Sequence, residues 1–100
     1  MLTVIARMRA KPGREAEVEA ELIKLVEPTR KEEGCLNYDL HKAQIEPAVF
    51  MFYENWTSRE LLNKHLNSPH INAWGKKQPD MLVHGVEVTM YDMVTTAPWL

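Results

Sequence analysis

Hydrophobic and polar residues recur with two different periods along the chain, and the changes of period predict strands and helices. Residues 2–10 alternate at every second position, which is typical of a strand. Lys11-Pro12-Gly13 ends this strand. From residue 14 to about residue 33 the period is that of a helix, with Pro28 inside it and Gly34 as its end signal. The buried stripe of this helix is predicted to consist of Val18, Leu22, Leu25, Val26 and Thr29.

The middle of the chain predicts a hairpin. Leu36, Tyr38 and Leu40 alternate with polar residues, and a turn at residues 45–48 leads into residues 49–56, which read Val-Phe-Met-Phe-Tyr-Glu-Asn-Trp. This second run is apolar on both faces until its carboxylate. We therefore expect helices of the same chain to cover one face and a second subunit to cover the other.

The last third predicts a helix in two pieces and a final strand. Residues 57–60, Thr-Ser-Arg-Glu, carry the capping-box pattern of a helix start. Ser68-Pro69 begins a second helical piece, which Pro79 is expected to end. Residues 83–94 alternate as the last strand. The inward positions of the two pieces are predicted to be Leu61, Leu62, His65, Leu66, Ile71 and Trp74.

The order β-α-β-β-α-β with a divided second helix predicts an α+β, ferredoxin-like fold. Both helical regions should lie on one side of the sheet. The other face is expected to be apolar, which favours a closed homodimer, a dimeric α/β barrel. Residues 1–94 form the predicted single domain, and residues 95–100 form a tail in which Trp99 is expected to anchor on the partner subunit.

Composition limits the classes of function. A chain of 100 residues supports one domain, and its net charge of −2 argues against nucleic-acid binding. The single cysteine, Cys35, excludes an internal disulfide and is expected to be a small buried hydrophobe. No segment approaches the roughly 18 apolar residues of a membrane helix, and the start of the chain does not resemble a signal peptide. We therefore expect a cytoplasmic protein with no membrane partner.

Glu54 and Trp56 are the first candidate site residues, since they follow each other on the strand face that carries both phenylalanines. A carboxylate at the rim of an apolar face has its pKa raised by loss of water, as a general base requires. The alternative is structural, because Arg7 or Arg9 from the first strand would form an ion pair with Glu54. Trp56 would form a wall of the same pocket or be part of the core.

Two of the four histidines, His65 and His70, are candidate proton carriers because imidazole titrates near physiological pH. Their spacing is not that of a metal site, and no neighbouring cysteine or carboxylate completes a ligand set, so no metal is expected. The alternatives are structural: His65 would be a core histidine, and His70 would form a hydrogen bond at the break between the helical pieces.

The second strand has two different faces. Asn37, Asp39 and His41 share one face, which would line a cavity, meet a partner or face solvent. Tyr38, on the other face, has a phenol able to hold an oxyanion or to pack in the core. The chain has no nucleophile elbow, phosphate loop or dinucleotide fingerprint, so no nucleoside or nicotinamide cofactor is expected. The predicted substrate-binding residues are Asn37, Tyr38, Trp56 and Trp74.

Several motifs recur in a characteristic order over nearly the whole chain. They are Met1–Ala6, Lys11-Pro12-Gly13, Thr29–Cys35, Tyr38, Glu54-x-Trp56 and His65-x-x-Ser68-Pro69-His70. In order and spacing they resemble the antibiotic biosynthesis monooxygenase domain family. The resemblance implies a dimeric α+β barrel whose characterised members include small oxygenases of quinols or polycyclic aromatic polyketides that use neither metal nor flavin.

The resemblance also implies a mechanism in which the deprotonated substrate reacts with dioxygen itself. The protein then supplies an enclosing pocket, orientation and a proton acceptor. The residues expected to take the phenolic proton are Glu54, His65 or His70. The residues expected to hold the oxyanion or the ring are Asn37, Tyr38 or Trp56.

The same family contains members with other activities. Haem-degrading members use an Asn on the first strand, a Trp on the third strand and a His on the second helical region. This chain has Ile5-Ala6-Arg7 and Trp74-Gly75 at the places of the Asn and the His, and it keeps only the tryptophan, Trp56. Haem degradation is therefore not expected.

A second alternative is an isomerase of a phosphorylated furanone-type signalling molecule, because His65 and Pro69-His70 resemble that branch. Phosphate binding needs cationic groups, and only Arg7, Arg9 and the Lys76-Lys77 pair are available without forming a clear cluster. The third alternative is a non-catalytic domain that binds a small aromatic molecule. An ion pair between Glu54 and an arginine would favour this last possibility.

Overall fold

A computed structural model describes residues 1–99, which form four strands and three helices. The strands are β1 (Leu2–Arg9), β2 (Cys35–Lys42), β3 (Val49–Trp56) and β4 (Glu87–Tyr91). The helices are α1 (Glu15–Arg30), α2 (Arg59–Leu66) and α3 (Pro69–Met81). None of the helices within residues 1–99 is long and apolar enough to span a membrane.

The strands form one antiparallel sheet in the order β2-β3-β1-β4. The predicted hairpin of β2 and β3 is confirmed, and so is the helix divided into α2 and α3. This element order and sheet topology confirm the α+β, ferredoxin-like fold.

The core lies between the sheet and the helices, and strand alternation determines which residues enter it. In the register of β1 and β3, Val4 is opposite Glu54 and Ala6 is opposite Phe52. Because alternate residues of a strand point to opposite faces, Glu54 shares the inner face with the core side chains. The main buried apolar residues are Val4, Met8, Val18, Leu22, Leu25, Phe50, Phe52, Trp56 and Leu62.

The outer face of the sheet is less apolar than the sequence suggested, and that expectation was wrong. Asn55 is fully buried there. Its Nδ2 donates to Oδ1 of Asn37 at 2.8 Å, and the hydroxyl of Thr3 donates to its Oδ1 at 2.5 Å. These polar groups are tolerated because they satisfy one another's hydrogen bonds. The half-buried apolar residues of this face are Ile5, Met51 and Tyr53.

Two helix ends differ from the sequence prediction. Helix α1 ends at Arg30 rather than near Glu33, and a turn follows before Gly34, whose φ is +86°. Helix α3 continues through Pro79 to Met81. A proline in the last turn removes one backbone donor, but the N–H of Leu82 still donates to the carbonyl of Gln78 at 2.8 Å and closes the turn.

The start of α2 and the final strand are also corrected. Ser58 is the N-cap of α2 rather than Thr57, because its Oγ accepts a hydrogen bond of 3.2 Å from the N–H of Leu61. Strand β4 is shorter than residues 83–94 and its side chains are exposed at the sheet edge. The tail and its contact with a partner stay a prediction, and Leu100 lies outside the described residues.

Candidate active site

Glu54 and Trp56 lie two residues apart on β3, so both side chains point to the inner face. The indole Nε1–H of Trp56 donates a hydrogen bond of 2.9 Å to Oε1 of Glu54. Glu54 is 4% exposed and Trp56 is fully buried. The carboxyl group is therefore removed from water and held by a neutral donor.

Burial raises the pKa of the Glu54 carboxyl from its ordinary value to about 7, although the hydrogen bond from Trp56 acts in the opposite direction. The negative charge of Glu32 raises this pKa further. The proposed ion pair with an arginine is absent from residues 1–99, since Arg9 instead binds Glu46 at 2.6 Å. Arg7 and Arg9 alternate onto the outer face. A carboxyl with this pKa is suited to exchange protons at neutral pH.

Tyr38 lies directly opposite Glu54 in the register of β2 and β3. Its ring stacks on Phe52 with centroids 4.3 Å apart, and it forms an edge-to-face pair with His65 with centroids 5.4 Å apart. Burial raises the pKa of the Tyr38 phenol well above its ordinary value. The phenol therefore keeps its proton at physiological pH and acts as a donor.

His65 occupies the inward face of α2 and is 3% exposed. Its ring lies 4.7 Å from the ring of Trp56, and its Nδ1 lies 2.6 Å from Oε2 of Glu32. Burial lowers the pKa of His65, while the hydrogen bond to Glu32 raises it. His65 thus joins the aromatic residues around Glu54 to a carboxylate nearer the surface.

His70 lies at the solvent-exposed edge of the residues around Glu54. Its Nε2 lies 3.0 Å from Oγ1 of Thr29, 3.3 Å from Oε2 of Glu32 and 3.4 Å from Oγ of Ser68. The side chains of His70 and Glu32 are 21% and 19% exposed, whereas Thr29 is fully buried. The structural hydrogen bond that the sequence suggested for His70 is therefore present, together with a contact to the carboxylate of Glu32.

Glu32 is the residue that the sequence analysis missed, and the statement that no carboxylate accompanies the two histidines was wrong. It lies in the turn after α1, distant in sequence from His65 and His70. One signal was available, because Glu32 follows Thr29 by three residues, and residues three apart share one side of a helix. The predicted helix reached residue 33 with Thr29 on its buried stripe, so the pattern placed Glu32 on the same side.

The ligand atoms of Glu32, His65 and His70 lie within 4.8 Å of one another, which is a separation that one metal ion could join. Two imidazoles and one carboxylate are ligands typical of divalent transition ions.

Two predicted substrate-binding residues do not join the inner cluster. Asn37 lies on the outer face, where its Nδ2 donates to Oδ2 of Asp39 at 3.0 Å and to the carbonyl of Tyr53 at 3.1 Å. Trp74 is buried on α3 in the hydrophobic core. The structure thus brings together Tyr38 and Trp56 with all three predicted proton carriers.

Three cavities in the described part of the chain are separate from this cluster. One of about 290 Å³ contacts Arg7 and His84, and one of about 380 Å³ contacts Ile5 and Met51, both on the outer side of the sheet. A third, of about 370 Å³, lies between α1 and β2. None of these three is lined by Glu54, His65 or His70.

The chain matches the protein family described as antibiotic biosynthesis monooxygenase over residues 1–77. It is 30% identical over 95 residues to the Synechocystis protein sll1783, covering 95% of this chain but only 65% of that protein's length. It is 33% identical over 87 residues to the Escherichia coli K12 protein named "Probable quinol monooxygenase YgiN", covering 76% of this chain and 83% of that protein.

A solved structure supports the same relationship. The structure of Rv0793 from Mycobacterium tuberculosis superimposes with a TM-score of 0.90 at 30% identity, covering 96% of this chain and 97% of that one. The same protein, named "Putative monooxygenase Rv0793", is 32% identical over 89 residues, which cover 89% of this chain and 87% of that protein.

Proposed function

The chain belongs to the antibiotic biosynthesis monooxygenase family, and we propose that it oxidises a quinol or polycyclic aromatic phenol with dioxygen, using no resident metal or flavin. One observation carries the proposal: Glu54 is a buried carboxyl with a pKa of about 7, held by an indole donor among aromatic rings. The relative named as a quinol monooxygenase supports the substrate class.

Glu54 acts as the general base in this proposal. It takes the proton of a substrate hydroxyl and leaves a phenolate, which is the electron-rich form that reacts directly with dioxygen. At neutral pH a carboxyl with a pKa of about 7 is partly present as the carboxylate. This carboxylate is basic enough to accept the proton of a phenol. Burial keeps bulk water away from the reactive intermediate.

Tyr38 and Trp56 orient the substrate. Tyr38 lies opposite Glu54 and keeps its phenolic proton, so it is able to donate to the oxyanion. The rings of Tyr38, Trp56 and His65 pack on one another, and in this proposal they line the aromatic ring of the substrate. Trp74 is part of the hydrophobic core, while Asn37 would contact only a substrate or partner on the outer face.

The substrate enters past Glu32 and His70. Tyr38, Glu54, Trp56 and His65 are each less than 5% exposed. Glu32 and His70 are the cluster members at the surface. They mark the side from which we propose that the substrate reaches Glu54.

Oxygen uptake tests the proposal. Metal-stripped protein is supplied with a panel of reduced quinols and hydroxylated polycyclic aromatics, and Glu54→Gln is compared with His65→Asn and His70→Asn. We expect uptake above the uncatalysed rate and a loss of about 10²- to 10⁴-fold in Glu54→Gln, the usual contribution of a general base. Glu46→Gln, at an exposed carboxylate, is the matched control.

Other results have definite meanings. Loss of uptake in one histidine variant with Glu54→Gln active would assign the base to that histidine. No uptake by the wild-type chain with any member of the panel would contradict the proposed oxygenation.

The isomerase alternative has less support from the site. His65 and His70 are present, but Arg7 and Arg9 lie on the opposite face of the sheet, and Lys77 binds Glu21 at 3.0 Å on the helix surface. A phosphate group at the histidines would thus lack these cations. The non-catalytic alternative is weakened as well, because the hydrogen bond described for Glu54 comes from Trp56 and not from an arginine.

We also propose that two copies of the chain pair through the outer face of the sheet. Ile5, Met51 and Tyr53 are only half covered there, and a second copy would remove them from water. The network of Thr3, Asn37 and Asn55 is satisfied within one chain, so covering it leaves no polar group without a partner.

A further inference from the structure

The cluster of Glu32, His65 and His70 has the composition of a metal site, although the sequence alone suggested none. We propose that Oε2 of Glu32, Nδ1 of His65 and Nε2 of His70 together bind one divalent transition ion such as Zn²⁺ or Co²⁺. This inference goes beyond the proposed oxygenation, in which the ion takes no part, and its test needs no enzyme substrate.

The distances suit such an ion. The three ligand atoms lie within 4.8 Å of one another. Tetrahedral bonds of about 2.0–2.1 Å place two ligand atoms about 3.3 Å apart, and Oε2 of Glu32 lies 3.3 Å from Nε2 of His70. Its distance of 2.6 Å from Nδ1 of His65 is that of a short hydrogen bond, with one proton between the two atoms. An ion that replaces this proton needs these two atoms to separate by only about 0.7 Å.

The surroundings already orient the ligands. Thr29 is fully buried and its Oγ1 lies 3.0 Å from Nε2 of His70, so this nitrogen is held toward the centre of the cluster. The rings of His65 and His70 are inclined, with centroids 6.0 Å apart. On binding, the ion would replace the hydroxyl of Thr29 as the partner of Nε2.

The three ligands differ in exposure, which lets an ion enter from solvent at one end of the cluster and be held at the other. His65 forms the inner end at 3% exposure, while Glu32 and His70 are about a fifth exposed. Two imidazoles select borderline transition ions over Mg²⁺ or Ca²⁺, which prefer oxygen ligands. Three protein ligands leave one position of a tetrahedral ion open to solvent.

The three ligands belong to different parts of the fold. Glu32 lies in the turn after α1, His65 lies in α2, and His70 lies in the first turn of α3. A bound ion therefore links the end of the first helix to both pieces of the divided helix. Because the unfolded chain does not hold these groups together, binding should also raise the thermal stability.

The test is titration of the metal-stripped chain with Zn²⁺ by calorimetry and with Co²⁺ by visible absorption. We expect one ion per chain, a Co²⁺ spectrum of low coordination number and a higher melting temperature with Zn²⁺. Glu32→Gln and His70→Asn should weaken affinity by at least about 10- to 100-fold, the range seen when even outer-shell partners are lost. Both positions are partly exposed, so the variants should fold, and circular dichroism checks this.

His84→Asn is the matched control. His84 is exposed and lies 3.8 Å from Glu87, so it also pairs an imidazole with a carboxylate, but away from the cluster. Its replacement should leave Zn²⁺ affinity unchanged. The proposal is overturned if folded Glu32→Gln and His70→Asn bind Zn²⁺ as the wild type does, if His84→Asn alone abolishes binding, or if the wild type binds no ion.

Discussion

The indole N–H of Trp56 donates a hydrogen bond to the carboxyl of Glu54, two residues earlier on the same strand. The two side chains are adjacent because a strand repeats its direction every second residue. This bond partly offsets the cost of burying the Glu54 carboxylate, since it stabilises the charged form. The proton affinity of the proposed base is therefore determined jointly by burial and by one neutral donor.

Replacement of Trp56 by Phe should raise the pKa of Glu54 above about 7, because the donor that favours the carboxylate is removed. A hydrogen bond to a charged group contributes about 1.5–3 kcal/mol, so we expect a rise of about one pH unit or more. Carboxyl ¹³C NMR titration measures it. Trp74→Phe, at another buried indole, is the control and should leave Glu54 unchanged. An unaltered Glu54 titration in folded Trp56→Phe contradicts the role assigned to this bond.

Replacement of Glu54 by Gln should stabilise the fold at high pH. The pKa of Glu54 is raised from 4.5 to about 7 on folding, so between these values the native state binds more protons than the unfolded state. The stability contributed by this group is complete below about pH 4.5 and is lost as the pH rises through about 7.

The variant should therefore gain up to about 3 kcal/mol relative to the wild type between pH 4.5 and pH 8, at about 1.4 kcal/mol per pH unit. Denaturant unfolding at several pH values measures the difference. Glu46→Gln, at the surface, serves as the control. If the free energies of unfolding of the variant and the wild type differ by the same amount at every pH, the raised pKa assigned to Glu54 is contradicted.

Replacement of Gly34 by Ala should destabilise the fold more than the same change at Gly13. Both glycines have positive φ, +86° and +84°, which costs about 1–2 kcal/mol for alanine. A Cβ at residue 34 would lie 2.8 Å from Cβ of Leu61 and 2.9 Å from Oγ1 of Thr57, whereas nothing lies within 4 Å at residue 13. We expect an additional loss of at least about 1 kcal/mol at residue 34. Equal losses in thermal or denaturant unfolding would contradict this close packing.

Replacement of Tyr53 by Asp should separate the proposed dimer. Tyr53 lies on the outer face, and a carboxylate there would be buried without a partner in the pair. Sedimentation velocity at micromolar concentration should show a dimer for the wild type and a monomer for the variant. Ile23→Asp, at an exposed position of α1, should stay dimeric. A wild-type chain that sediments only as a monomer disproves the dimer.

The sequence by itself determined the fold class, the hairpin and the face of β3 that carries Glu54 and Trp56. These follow from the periods of strands and helices, which are local properties of neighbouring residues. The exact ends of α1 and α3 did not follow, because a nearby glycine or proline limits a helix without determining its last residue. Helix α1 ends at Arg30, well before Gly34, whereas a final backbone hydrogen bond extends α3 beyond Pro79.

Only the tertiary structure placed Glu32 beside His65 and His70. Periodicity predicts that His65 faces inward, but it does not say which residues of other helices and turns His65 meets. That depends on how α1, α2 and α3 pack over the sheet, which brings Glu32 within 2.6 Å of a histidine 33 positions away. The raised pKa of Glu54 has the same origin, since the loss of water around a carboxyl is caused by every element that covers it.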